Sequence, residues 1–159
     1  MAATKDLKSL FHATLKDIYF AERKILTTLP KMAKAANDES LRAAFEEHRE
    51  QTQGHVERLE KVFSIIGQKA QGKTCEAIVG ITKEGAEIME EYEGSQALDA
   101  GLLAAAQAVE HYEISRYGTL KTWAEKLGMQ QAVMLLDQTL TEEKNTNEAA
   151  SRGDSRSGS

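Results

Sequence analysis

The sequence predicts an all-α protein, a four-helix bundle with a short crossover helix between the second and third long helices. Three observations predict it. Apolar residues recur at steps of three and four along nearly the whole chain, which is the period of a helix buried on one face. No segment alternates with a strand's period of two. One proline and 11 glycines in 159 residues leave room for long elements, and most glycines fall between periodic stretches.

The first helix is predicted over about 4–36, with Thr4 as its N-cap. Its seam is Leu7, Phe11, Thr14, Ile18, Glu22, Ile25, Leu29, Met32 and Ala36, a heptad-like repeat. Pro30 should kink this helix or split off its last turns. Asn37 or Asp38 caps the second helix, about 38–67, whose seam runs Leu41, Phe45, His48, Thr52, His55, Leu59, Val62 and Ile66 before Gly67 stops it. A shorter helix covers about 74–93, with Ile78, Ile81, Gly85, Ile88 and Tyr92 on one face. Gly94 follows, and Ser95 caps the next long helix, about 96–127. Its seam carries Leu98, Leu102, Ala105, Val109, Tyr112/Glu113, Arg116, Leu120, Ala124 and Leu127. After Gly128 a last helix, about 129–150, places Val133, Leu136, Leu140, Glu143 and Asn147 on one stripe. Residues 1–150 thus read as one helical domain. Residues 151–159 have no apolar side chain and read as a disordered polar tail, in which Arg152 to Asp154 is a chance triplet. About twenty residues at 1.5 Å each let the short helix reach ~30 Å, enough to connect two helical hairpins. Two hairpins joined by one long crossover form a ferritin-like topology.

Composition narrows the function. Acidic residues number 25 against 20 basic, a net charge of -5, which leaves no excess cation to neutralise phosphates and predicts no nucleic-acid partner. No apolar run approaches the ~20 residues of a membrane span, so no membrane partner is expected. Residues Met1–Asp6 lack a basic stretch ahead of an apolar core, so no signal peptide is expected and the compartment read is a reducing cytoplasm. The one cysteine, Cys75, excludes a disulfide framework and reads as a small buried hydrophobe.

The informative residues interrupt the seams. Glu22 stands on the first. His48, Thr52 and His55 stand on the second, with Gln51 beside them. Glu113 and Glu110 lie on the third, Glu143 and Asn147 on the fourth. A buried carboxylate costs several kcal/mol unless it is paired or metal-bound. All but Asn147 lie within about three residues of their helix midpoints, and antiparallel neighbours share the level of their middles. Glu22, Gln51/His55, Glu110/Glu113 and Glu143 should converge on one layer, the ligand set of a dinuclear carboxylate site. Oxygen-rich ligands with an imidazole suit iron, or manganese, better than structural zinc. The blander readings stay beside this one. Glu22 could pair with a buried Arg such as Arg116, Glu110 and Glu113 could form an exposed acidic face, and His55 could be a core histidine. His48 reads as structural, Glu142 as surface charge, and His12 and His111 as solvated. Tyr19, Tyr112 and Tyr117 are core tyrosines or redox groups near the site.

The stretches DIYFAERKIL, FEEHREQTQGHVERLEKVF, AAAQAVEHYEISRYGTL and LLDQTLTEEKNTNEA resemble the bacterial ferritin-like YciE/YciF stress-protein family, from about Leu7 to Ala150. The resemblance implies a ferritin-like bundle, a homodimer, a di-iron centre and a role in general stress responses, with no defined substrate. The spread of Ile78, Val79, Ile81, Ile88 and Met89 around the short helix adds a hint of association. Better-known ferritin-like proteins carry Glu-x-x-His on two helices. Here the second helix has Gln51-x-x-x-His55 and the last has Glu143-x-x-x-Asn147. Family members often have an acid where Gln51 and Asn147 stand, and amides ligate weakly. The resemblance would also continue the last helix where this chain reads as a tail.

Two function classes follow. One is a metal-binding stress protein with two iron ions that react with dioxygen or peroxide, as a ferroxidase or peroxide scavenger. The other is a non-catalytic dimeric interaction protein with an empty or vestigial site. A plain helical adaptor would need the seam acids to pair with Lys or Arg.

Overall fold

The computed structural model describes residues 5–157, with side chains described for 5–149. Among the described residues there are five helices and no strand: α1 Leu7–Ala35, α2 Glu39–Ile65, α3 Glu76–Glu91, α4 Leu98–Lys126 and α5 Gln130–Ser157. The expected tail, 151–159, lies outside the described side chains, and α5 is assigned past the predicted end near Ala150.

Local chemistry sets the boundaries. The predicted cap Thr4 lies outside the described residues. The cap of α1 is Asp6, whose carboxylate accepts from Ser9 N at 2.9 Å while Ser9 Oγ accepts from Asp6 N at 2.9 Å, a capping box. α1 is not split at Pro30 but runs through it to Ala35. Arg42 closes its far end by donating to Ala33 O (3.1 Å) and Ala36 O (2.8 Å). Asp38 caps α2 by accepting from Leu41 N at 3.0 Å. α4 begins at Leu98, later than predicted, because Ser95 turns its Oγ to accept from Ala97 N at 3.0 Å before the helix starts. Gly67 and Gly128 end α2 and α4 at φ +69° and +72°, a conformation L side chains resist.

Neighbouring long helices are antiparallel. The side-chain pairs His12–Phe63, His55–Glu143 and Lys121–Asp137 join α1 to α2, α2 to α5 and α5 to α4. Asp99, in the first turn of α4, accepts from Asn37 N and Asp38 N at 2.8 Å each, which pins the end of α1 to the start of α4. The ring α1–α2–α5–α4 therefore leaves the end of α2 and the start of α4 at opposite ends of the bundle. The connection must traverse the length. α3 has 16 residues, so it spans only ~24 Å, less than the sequence predicts, since it starts at Glu76 rather than Thr74 and ends at Glu91. The extended stretch before it makes up the distance, running past α1 with Lys73 N donating to Lys16 O at 3.2 Å. α3 then lies in the groove between α1 and α4.

The core is one cluster. Its largest fully buried side chains include Phe11, Phe63, Leu59, Leu102, Leu120 and Leu136. Ile81, Ile88 and Met89 of α3 pack against it too, so the apolar excess on that helix is largely absorbed within the chain.

Candidate metal centre

The acids of the seams do converge in the interior. Glu22, Glu110, Glu113 and Glu143 are each at most 1% exposed, and His55 is fully buried. Two groups of potential ligand atoms form, each with all members within 4.8 Å of one another. One is Glu22, His55 and Glu143, and the other is His48, Glu110, Glu113 and Glu143. Glu143 belongs to both.

The two groups take different histidines of α2, and the second takes His48. It stands seven residues before His55, two turns along the same face of α2, or ~10 Å by helical rise. Its Nε2 lies 2.8 Å from Glu110 Oε1. His48, read from the sequence as structural, also stands among the potential ligands. Burial holds its imidazole below the usual histidine range, which keeps a ring lone pair free.

His55 is oriented from both sides. Its Nδ1 lies 3.0 Å from Glu22 Oε2 and 3.0 Å from Glu143 Oε1. Its Nε2 lies 3.2 Å from Glu142 Oε1, and Arg58 holds Glu142 in turn, with a guanidinium nitrogen 2.7 Å from Oε2. Glu142 is therefore not simple surface charge. It stands where the outer carboxylate of a metal-binding histidine stands, accepting the second ring N–H and fixing the ring. Burial opposes charge on His55, but hydrogen bonds to Glu143 and Glu22 outweigh it and push the pKa up to about 10.

Without a cation, the four acids cannot all ionise. Burial, reinforced by Glu143, pushes Glu110 up to about 11. Burial and the charges of Glu143 and Glu22 raise Glu113 well above the carboxylate range. Glu143 stays low despite burial, because Glu113, Glu110 and His55 hydrogen-bond to it. As carboxylates, both oxygens of Glu110 and Glu113, and Oε1 of Glu22, have no hydrogen-bond partner. Arg116 is not the partner of Glu22. It sits over the ring of Tyr112, 5.2 Å from its centroid. Among the described residues no Lys or Arg forms an ion pair with the four acids.

The amides behave differently. Gln51 Oε1 accepts from Thr146 Oγ1 at 2.9 Å, so its carbonyl is occupied across the α2–α5 contact. Asn147 Oδ1 is buried and has no hydrogen-bond partner. Of the tyrosines, Tyr19 packs edge-on to Phe63 in the core. Tyr112 shares a 2.8 Å hydrogen bond with Cys75 Sγ, so that thiol is buried but not purely a hydrophobe. Tyr117 is fully buried with its hydroxyl unpartnered, and its ring lies 6.3 Å from that of His55. Burial and the charges of Glu22 and Glu143 keep that phenol protonated. His111 is exposed as expected, whereas His12 is half-buried against Phe63.

Known proteins resemble this chain along its length. The family described as a domain of unknown function, DUF892, matches residues 6–152. Protein YciF of Escherichia coli (strain K12) is 43% identical over 143 residues, 89% of this chain and 86% of that protein. The structure of YcfI from Rhodopseudomonas palustris aligns with a TM-score of 0.90 at 44% identity, covering 92% of this chain and 94% of that one. The crystal structure of the E. coli stress protein YciF aligns with a TM-score of 0.89 at 41% identity, covering 94% of each chain. The resemblance carried by the quoted stretches holds, and so does the all-α bundle. Among the described residues no helix is long and apolar enough to cross a membrane.

Proposed function

This chain belongs to the DUF892 family, and we propose that it is a stress-response protein whose bundle core binds two divalent metal ions, iron first and manganese second in preference. The observation that carries the reading is the set of buried carboxylate oxygens without a hydrogen-bond partner, gathered with two histidines into two groups that share Glu143. Buried charge without a donor is too costly to stand alone, and a pair of cations offsets it. The donor set is rich in oxygen with imidazole at each end, which suits iron or manganese.

Each residue has a part to play. Glu22, His55 and Glu143 would hold one ion, and His48, Glu110, Glu113 and Glu143 the other. Asn147 offers a carbonyl oxygen at the margin. Glu142 and Arg58 keep the His55 ring turned so that Nδ1 faces inward. Glu110 and Glu113 give up their protons when cations enter. Tyr117 keeps its proton on a hydroxyl beside the acids, and the packed core excludes water. Bound iron would supply one-electron chemistry toward dioxygen or peroxide, giving ferroxidase or peroxide-scavenging activity. The protein is taken to act in the cytoplasm as a homodimer, after its family. The likeness to the E. coli stress protein YciF supports the cellular role.

One observation favours a second reading, a non-catalytic dimeric interaction protein with a vestigial site. Gln51, where an acid would ligate strongly, spends its carbonyl on Thr146. Equilibrium dialysis of the metal-free protein against iron(II) under anaerobic conditions separates the two. About two ions per chain support the metal reading, and none supports the vestigial one.

A further inference from the structure

Where α2 meets α5, the metal layer comes close to solvent through polar side chains. Gln51, His55 and Arg58 follow one another on α2 at steps of four and three, so they share a face. Thr139, Glu142 and Thr146 do the same on α5 at steps of three and four. Arg58 donates to Thr139 Oγ1 at 3.3 Å and pairs with Glu142 Oε2 at 2.7 Å. Glu142 Oε1 lies 3.2 Å from His55 Nε2, and Gln51 Oε1 accepts from Thr146 Oγ1 at 2.9 Å. The side chains of Arg58 and Glu142 are 25% and 32% exposed, while that of His55 behind them is 0% exposed. One carboxylate therefore separates water from the ring that touches Glu22 and Glu143.

The other sides are packed. α3 roofs the groove between α1 and α4, and Cys75 at its N-cap bonds to Tyr112 of α4 at 2.8 Å. Between α1 and α2, buried Tyr19 packs on buried Phe63. Where α4 meets α5, the Lys121–Asp137 pair stands six residues before Glu143, ~9 Å by helical rise, with buried Leu140 between them. A divalent cation that crosses apolar packing gives up its water for nothing, so its path follows oxygen.

We propose that the α2–α5 seam is the port through which divalent cations reach the layer, and that Arg58 is its gate, latched on Glu142 and Thr139. The inference rests on the metal reading above. With the latch closed, the guanidinium covers Glu142 Oε2 and sets a positive charge in the path. With Arg58 swung into solvent, that oxygen is free to take a cation from water and pass it beside His55 to Glu143 and Glu22.

The test is the rate of capture. The metal-free full chain is mixed with manganese(II) and quenched at set times with a chromophoric chelator that reads the unbound ion. In Arg58→Ala the capture rate constant should rise about tenfold, the low end of what local charge does to association rates. Lys121→Ala removes one positive charge from another exposed pair and should change the rate by less than about twofold, because exposed charges at a distance are screened. Should Arg58→Ala fail to fold, Arg58→Gln makes the same comparison. A residue that only fixes the His55 ring would speed release of the ion and leave capture unchanged. Unchanged capture in the Arg58 variants, or an equal rise in Lys121→Ala, overturns the port while the metal reading stands. No capture by the wild type at any time defeats the metal reading and the port with it.

Discussion

Replacing Glu113 by Gln separates the stability of the metal-free fold from that of the metal-bound one. Glu113 is fully buried and has no oxygen in a hydrogen bond as a carboxylate. Burial and the nearby charges hold it protonated in the metal-free protein. Glutamine is then a neutral group for a neutral group, with an N–H able to donate to Glu143 as the acid's O–H does. The metal-free protein should change by less than about 1 kcal/mol, the net worth of one hydrogen bond. With metal at a hundred times its dissociation constant, the wild type should gain ~2.7 kcal/mol. For a chain of this size that is a rise in Tm of roughly 5–11 °C. Losing even an outer partner of a metal site typically costs about 10–100-fold in affinity. Taken as a floor for Glu113, that removes ~1.4–2.7 kcal/mol of the gain. The assay is a thermal melt of each protein, with chelator and with iron(II) under anaerobic conditions. A metal-free Tm lowered as far as the loss of roughly 3–5 kcal/mol from a broken buried ion pair requires would show that Glu113 is charged in the empty fold. A full metal-induced shift in Glu113→Gln would show that it is no ligand. Either result refutes the reasoning.

Other expectations follow from the same layer. Glu142→Gln leaves Nε2 of His55 without its carboxylate and should weaken metal binding by about 10–100-fold, read by competition with a chromophoric chelator. Metal binding should release protons, because Glu110, Glu113 and His55 hold them in the empty site, and a weakly buffered solution should acidify on addition of manganese(II). The metal-free protein should lose stability as pH rises. Glu110 and Glu113 have folded pKa values raised above their unfolded ones, and His55 is raised to about 10. The native state thus binds more protons than the unfolded state, from the carboxylate range for the two acids and from about pH 6.5 for His55. A falling Tm between pH 6 and 9 in chelator, flattened or reversed by metal, is the expected pattern, and a Tm rising through that range without metal would contradict it.

The fold was legible because apolar periodicity reports which face of each helix is buried, and five such faces in this order leave few packings. The mid-helix height of Glu22, His55, Glu110, Glu113 and Glu143 was enough to foresee their meeting, since antiparallel packing aligns helix centres. The surroundings of His48 and Glu142 were illegible in the sequence for a shared reason. A histidine on an apolar seam has many structural uses, and only the placement of Glu110 beside it changes its meaning. Glu142 sits off the seam, and its role depends on the α2–α5 register that brings Arg58 and His55 to it. The crossover length was misjudged because periodicity marks a helix's face better than its ends. Here Cys75 stands at the N-cap without a side-chain cap, so nothing in the usual capping vocabulary marked the start.

The most direct test of the metal centre is anomalous diffraction from crystals grown metal-free and soaked in iron(II) or manganese(II). The account predicts two peaks in the bundle interior, one among Glu22, His55 and Glu143 and the other among His48, Glu110, Glu113 and Glu143, with the Glu143 carboxylate reaching both. Maps without density at either position, at metal concentrations that saturate the solution titration, would contradict it.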